Sequence, residues 1–79
     1  MMNVLKIDLH RIRHEDVSDK VIRFIESNWA SNMEAEIITG NSSVMQRIVM
    51  GILDEYKLPY QISRMSDPHN KGYIVTWLE

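Results

Sequence analysis

The chain has 79 residues, 44% of them hydrophobic and 25% charged. That is enough for one globular domain over residues 1–79 and too little for a second, and it excludes a fibrous or wholly disordered chain. The net charge of −2 opposes the basic surface that phosphate contacts normally need, so any nucleic-acid binding has to rest on a local patch. With no cysteine there is no disulfide, thiolate metal site or thiol nucleophile. No stretch approaches about 18 consecutive apolar residues, and residues 1–6 carry no basic-then-apolar leader pattern. The expectation is a cytoplasmic protein without membrane association. Its size-scaled stability is about 4–12 kcal/mol, so one bad core substitution would unfold it.

Val4-Leu5-Lys6-Ile7-Asp8-Leu9 alternates, with Leu5, Ile7 and Leu9 on one face and Lys6, Asp8 and His10 on the other, which predicts a half-buried strand. From Glu15 to about Ser31, Val17, Val21, Phe24, Ile25 and Trp29 recur at helical spacing behind the acidic pair Glu15/Asp16, which suits a helix start. Phe24 and Trp29 are expected in the core. Ala35-Glu36-Ile37-Ile38-Thr39 reads as a second, more fully buried strand, completing a βαβ unit with parallel strands.

Gly40-Asn41-Ser42-Ser43 is a turn, and Ser42 or Ser43 caps a second helix that carries Met45, Ile48, Val49, Ile52, Leu53 and Tyr56 on one stripe. It ends by Lys57-Leu58, ahead of Pro59. Gly51 inside it costs roughly 1 kcal/mol relative to alanine, which close packing against the sheet would explain. Tyr60 to Met65 and Gly72 to Leu78 then form an antiparallel hairpin around residues 66–71. The expected fold is α+β, a two-layer β-α-β-α-β-β sandwich with a four-stranded mixed sheet and both helices on one face. The six methionines read as core filler.

Two constellations carry chemistry. Asp8 and His10, two residues apart on a strand, point to one face. A carboxylate there fixes the imidazole tautomer, as a general base requires. Read without context, the same pair is a solvent-side polar couple. Thr39-Gly40-Asn41-Ser42-Ser43 leads from a strand end into a helix start, where free N–H groups and the helix dipole favour an anion. Without context this too is a plain helix cap. Both lie beyond the carboxyl ends of the expected parallel strands, where open sheets bind ligands.

These motifs resemble the small MutS-related, or Smr, domains, across essentially the whole chain. Those domains have L-D-x-H-G on the first strand, [H/T]-G-x-G after the second and a G-x-x-x-V-x-L-like final strand. Here they read Ile7-Asp8-Leu9-His10-Arg11, Thr39-Gly40-Asn41-Ser42 and Gly72-Tyr73-Ile74-Val75-Thr76-Trp77-Leu78. The resemblance implies a fold similar to the C-terminal domain of bacterial translation initiation factor three. It also implies an endonuclease that nicks DNA or cleaves RNA, in some members in connection with ribosomes. Three departures weaken the catalytic set: Arg11 replaces the glycine after the histidine, Ser42 replaces the second loop glycine, and Thr39 stands where a histidine is the stronger acid-base choice. A two-histidine mechanism is unavailable unless His14 lies within reach.

The resulting catalytic candidates are Asp8, His10 and Thr39. On an RNA substrate, His10 would take the 2′-hydroxyl proton, Asp8 would orient the ring and the Gly40, Asn41, Ser42 and Ser43 amides would hold the phosphate. That route requires no metal. DNA cleavage would need a water nucleophile, with Mg²⁺ on Asp8 as its metal-assisted form, but no carboxylate cluster supports a metal site. Arg11, Arg13 and Arg47, with Lys6, are the candidate phosphate-binding cations, unless Glu15 and Asp16 cancel the first two. Tyr73 and Trp77 share a face of the last strand and would either stack bases or pack. His69 reads as a loop residue, in a loop that could contact substrate. Two alternatives stand beside the nuclease: an inactive nucleic-acid or ribosome-binding module, and a small domain that binds a protein partner through a sheet face or an edge strand.

Overall fold

A computed structural model describes residues 4–67 and 69–79. The elements run β1 (Leu5–Asp8), α1 (His14–Ser27), β2 (Met33–Ile38), α2 (Ser43–Glu55), β3 (Tyr60–Ile62) and β4 (Tyr73–Leu78). The strands form one sheet in the order β1-β2-β4-β3, with β1 and β2 parallel and β4 antiparallel to both β2 and β3. This is the expected α+β mixed sheet. The core joins Val17, Val21 and Ile25 of α1 and Met45, Val49, Ile52 and Leu53 of α2 to one set of alternating strand residues, Ala35, Ile37, Ile74 and Leu78. Both helices therefore cover one sheet face.

The first helix stops four residues before the expected boundary. The Asn28 N–H caps it on the Ile25 carbonyl, and the Asn28 side chain donates to the Phe24 carbonyl at 2.8 Å. Ala30 and Asn32 then adopt left-handed backbone (φ 59° and 58°) that turns the chain into β2. Trp29 consequently lies outside the core. It is 50% exposed, with its ring 5.7 Å from that of Tyr56, whereas Phe24 packs against the core from the flank.

The second strand is less buried than its apolar run suggests. Ala35 and Ile37 are buried, but Glu34, Glu36 and Ile38 face the other side and are half-buried. There the segment after β3 folds back. The Arg64 guanidinium donates to Glu34 and to Glu36, the latter at 2.8 Å, and holds the Glu34 carboxyl below its ordinary range. Tyr73 accepts a hydrogen bond from the Arg64 N–H and donates to Asp67. Its ring is buried, so packing takes the place of the base-stacking role considered for it, and Trp77 is half-buried. Ser63 in left-handed backbone (φ 58°) ends β3 at Ile62 instead of Met65. Met65 is 94% exposed and is not core filler; Met45 is, while Met1 and Met2 lie outside the described residues. Pro68, in the expected hairpin loop, is likewise outside them.

Ser42 caps α2 by accepting from the Met45 N–H at 3.1 Å, and the helix ends at Glu55. Gly51 does not mediate close packing. It is exposed, and a Cβ placed there meets nothing within 4 Å. Gly51→Ala should therefore stabilise the protein by about 0.5–1 kcal/mol and raise the melting temperature by several degrees in a thermal melt. A lowered melting temperature would contradict the open surroundings at this position.

Candidate nucleic-acid interface

The Asp8 carboxylate closes β1 by folding onto the residue two positions on. Its Oδ1 accepts the His10 backbone N–H at 2.9 Å and meets His10 Nδ1 at 2.8 Å. The backbone bond first, and the ring bond with it, hold the Asp8 carboxyl below its ordinary value against a smaller opposing desolvation. A carboxylate at Nδ1 favours the neutral tautomer with its proton there and leaves Nε2 as an acceptor. That atom faces the second motif: a Cβ built on Gly40 would lie 3.2 Å from Nε2 and 3.4 Å from Cδ2. Asp8, His10 and Gly40 thus come together, as their places at the strand ends suggest.

Two features favour glycine at position 40. Its φ of 68° is left-handed, and its missing side chain is the floor under the imidazole. The loop differs from expectation in one respect, because the Gly40 N–H is already used. It and the Thr39 N–H both donate to the Gly72 carbonyl at 2.9 Å. Among the described residues no backbone carbonyl takes the N–H groups of Asn41, Ser42 or Ser43. These three, at the start of α2, are the amides left for an anion.

Thr39 does not join the open site. It is buried, and its hydroxyl donates to the Gly40 carbonyl at 2.8 Å, so it shapes the loop rather than facing a ligand. Arg11 is exposed beside His10 and holds left-handed backbone (φ 66°), a conformation that favours glycine. Arg13 lies 3.5 Å from Glu15, which supports the cancelling reading for that cation. Lys6 reaches Glu36 at 4.0 Å. Arg47 is exposed in the first turns of α2, and His14 opens α1 without making any of the contacts that organise His10.

Sequence reading missed Gln46, Asn70 and the structural part of Gly72. The Gln46 amide donates to the Lys71 and Gly40 carbonyls, tying α2 to both loops. Asn70 Oδ1 accepts the Gly72 N–H at 3.0 Å. Gly72 signals its place only by opening the last strand, and Gln46 has no local signal because its partners are six and 25 residues away. Among the described residues no three His, Cys, Asp or Glu side chains group as metal ligands, and no helix is long and apolar enough to cross a membrane.

No family of known proteins, no curated protein and no solved structure matches the chain.

In an NMR titration, the depressed Asp8 carboxyl should protonate below the ordinary carboxylate range. Its hold on His10 is therefore complete at neutral pH and lost only as the pH falls through that depressed value. In His10→Ala the midpoint should move only part of the way back, because the backbone N–H still donates. An Asp8 that titrates at or above the ordinary value would contradict the bonded geometry.

Proposed function

We propose that the chain is a nucleic-acid-acting domain of the Smr type, with His10 as general base and the Asn41–Ser43 amides as the phosphate holder. The observation that carries the reading is the meeting of the two motifs. The Nε2 of an Asp8-oriented histidine faces the glycine from which a loop with free N–H groups leads into α2. A base and an anion cradle at one sheet edge suit attack on a phosphodiester. The left-handed backbone at Arg11, where Smr domains carry glycine, and at Gly40 is compatible with that resemblance.

RNA is the favoured substrate, and the reaction is transfer of the phosphodiester to the neighbouring 2′-hydroxyl, whose proton His10 takes. Asp8 is engaged by both the His10 ring and backbone, which suits an orienting role better than ligation of Mg²⁺ for DNA nicking. With Thr39 sealed, the leaving oxygen takes its proton from water, so the expected rate is modest. A ribosomal RNA context and a cytoplasmic location belong to the same proposal.

Labelled RNA and supercoiled DNA, each incubated with and without Mg²⁺, test the reading. RNA should be cleaved without metal, and His10→Ala should lower the rate by roughly 10²–10⁴-fold. Binding should weaken as salt rises, and Arg47→Ala should reduce the slope of log K against log salt by roughly 0.7 for single-stranded RNA. Cleavage that survives His10→Ala would remove that residue as the base. Salt-sensitive binding without cleavage would indicate a module that only holds nucleic acid, and no binding at low salt would sink the reading altogether.

A further inference from the structure

The outer edge of β1 is open: β1 pairs only with β2, and among the described residues no strand lies on its other side. The Leu9 N–H donates to the Ile38 carbonyl at 2.9 Å, so the odd-numbered residues of this strand aim their main-chain groups at β2. Lys6 and Asp8 therefore aim theirs outward. Beside this edge lies an open groove of about 410 Å³ with Ile7, Ile12 and Phe24 as its apolar lining and Asp8, Lys20 and Arg23 at its margins. The exposed flank of α1 next to it reads Asp16, Asp19, Lys20, Arg23, two acids followed by two bases around one shallow depression.

We propose that this edge pairs with a second copy of itself in a two-fold symmetric dimer with a continuous eight-stranded sheet. The argument is self-complementarity. An antiparallel pair centred on Ile7 sets Lys6 opposite Asp8 of the second copy, and Asp8 opposite its Lys6. Both are outward-facing positions, so each forms a doubly hydrogen-bonded pair with opposite charges across it. The exposed flank of α1 is self-complementary in the same sense, because a two-fold axis passing between Asp19 and Lys20 sets Asp16 opposite Arg23 of the second copy and Asp19 opposite its Lys20. The strand and the helix flank thus each carry a charge pattern that a two-fold axis matches to itself. Helices lying over the first strand pair of each copy would stand about two strand spacings, or roughly 10 Å, apart, which is a helix-packing distance. Ile7 meets Ile7 at the axis, and the second copy roofs the Ile12/Phe24 groove. A lone lysine on an edge strand commonly guards against pairing; an aspartate two residues on converts that guard into half of a matched set. This inference does not depend on the nuclease reading, although it would place two Asp8–His10 sites on neighbouring strands.

Sedimentation equilibrium from about 1 µM to 1 mM chain at low salt tests it, a range that covers the affinity expected of a small interface. The wild type should pass from the 9.3 kDa chain to twice that mass. Arg23→Asp should weaken the dimer by roughly tenfold or more, since two pairs turn repulsive. Adding Asp16→Arg to it restores opposite charges across the axis and should recover the affinity to within about threefold. Neither residue belongs to the candidate site. A wild type that stays monomeric, an Arg23→Asp dimer as tight as the wild type, or a charge swap that folds without recovering overturns the proposal. If the swapped protein does not fold by circular dichroism, amide exchange of the wild type decides. Protection of the Lys6 and Asp8 N–H groups that grows with concentration supports the pairing, and protection that does not change overturns it.

Discussion

The candidate site depends on the close approach of two glycines. A Cβ on Gly72 would lie 3.2 Å from Asn70 Oδ1 and 3.4 Å from the Gly40 Cα and carbonyl carbon, so the start of β4 runs close against the end of β2 with Asn70 packed beside it. From there the Gly72 carbonyl takes the N–H groups of both Thr39 and Gly40. This pair of hydrogen bonds accompanies the bend of the chain out of β2, where Gly40 takes left-handed backbone under His10. Gln46 and Asn70 hold the same junction from α2 and from the loop before β4. The imidazole is then held by Asp8 at Nδ1, with Nε2 turned toward the space that the missing Gly40 side chain leaves open. A side chain at position 40 would crowd the histidine ring directly, and one at position 72 would crowd Asn70.

The distribution of charge explains how a chain with net charge −2 keeps cations near this edge. Arg64 is consumed on the far sheet face by Glu34 and Glu36, Lys6 leans toward Glu36, and Arg13 is matched by Glu15. Arg11 and Arg47 remain exposed on the segments that carry His10 and the amide loop. Any affinity for phosphate therefore rests on few contacts, and affinity from few contacts falls gently with salt.

Elements built on local periodicity were legible in the sequence. The alternation of residues 5–9, the i, i+4 series Val17, Val21, Ile25 and the Ser42 cap each appear where the pattern puts them. What was not legible depends on tertiary partners. Trp29 fits the helical stripe, yet α1 has already been capped by Asn28. The apolar run through β2 suggests burial on both faces, but the second one carries Glu34 and Glu36, half-buried and held by Arg64. Thr39 and Gly40 looked equally available to a ligand until Gly72 was placed beside them. Asp8 and His10 were legible because a spacing of two on a strand fixes a shared face regardless of what surrounds it.

The central claim is that Asp8 holds His10 as a base with Nε2 free over Gly40. Long-range ¹H–¹⁵N correlation of the His10 ring near pH 8 tests it most directly, because the two nitrogens have different shifts in each tautomer. The proton should reside on Nδ1 with Nε2 unprotonated, and Asp8→Asn should shift that balance. A ring protonated chiefly on Nε2, or one averaging freely between tautomers in the wild type, would contradict the account.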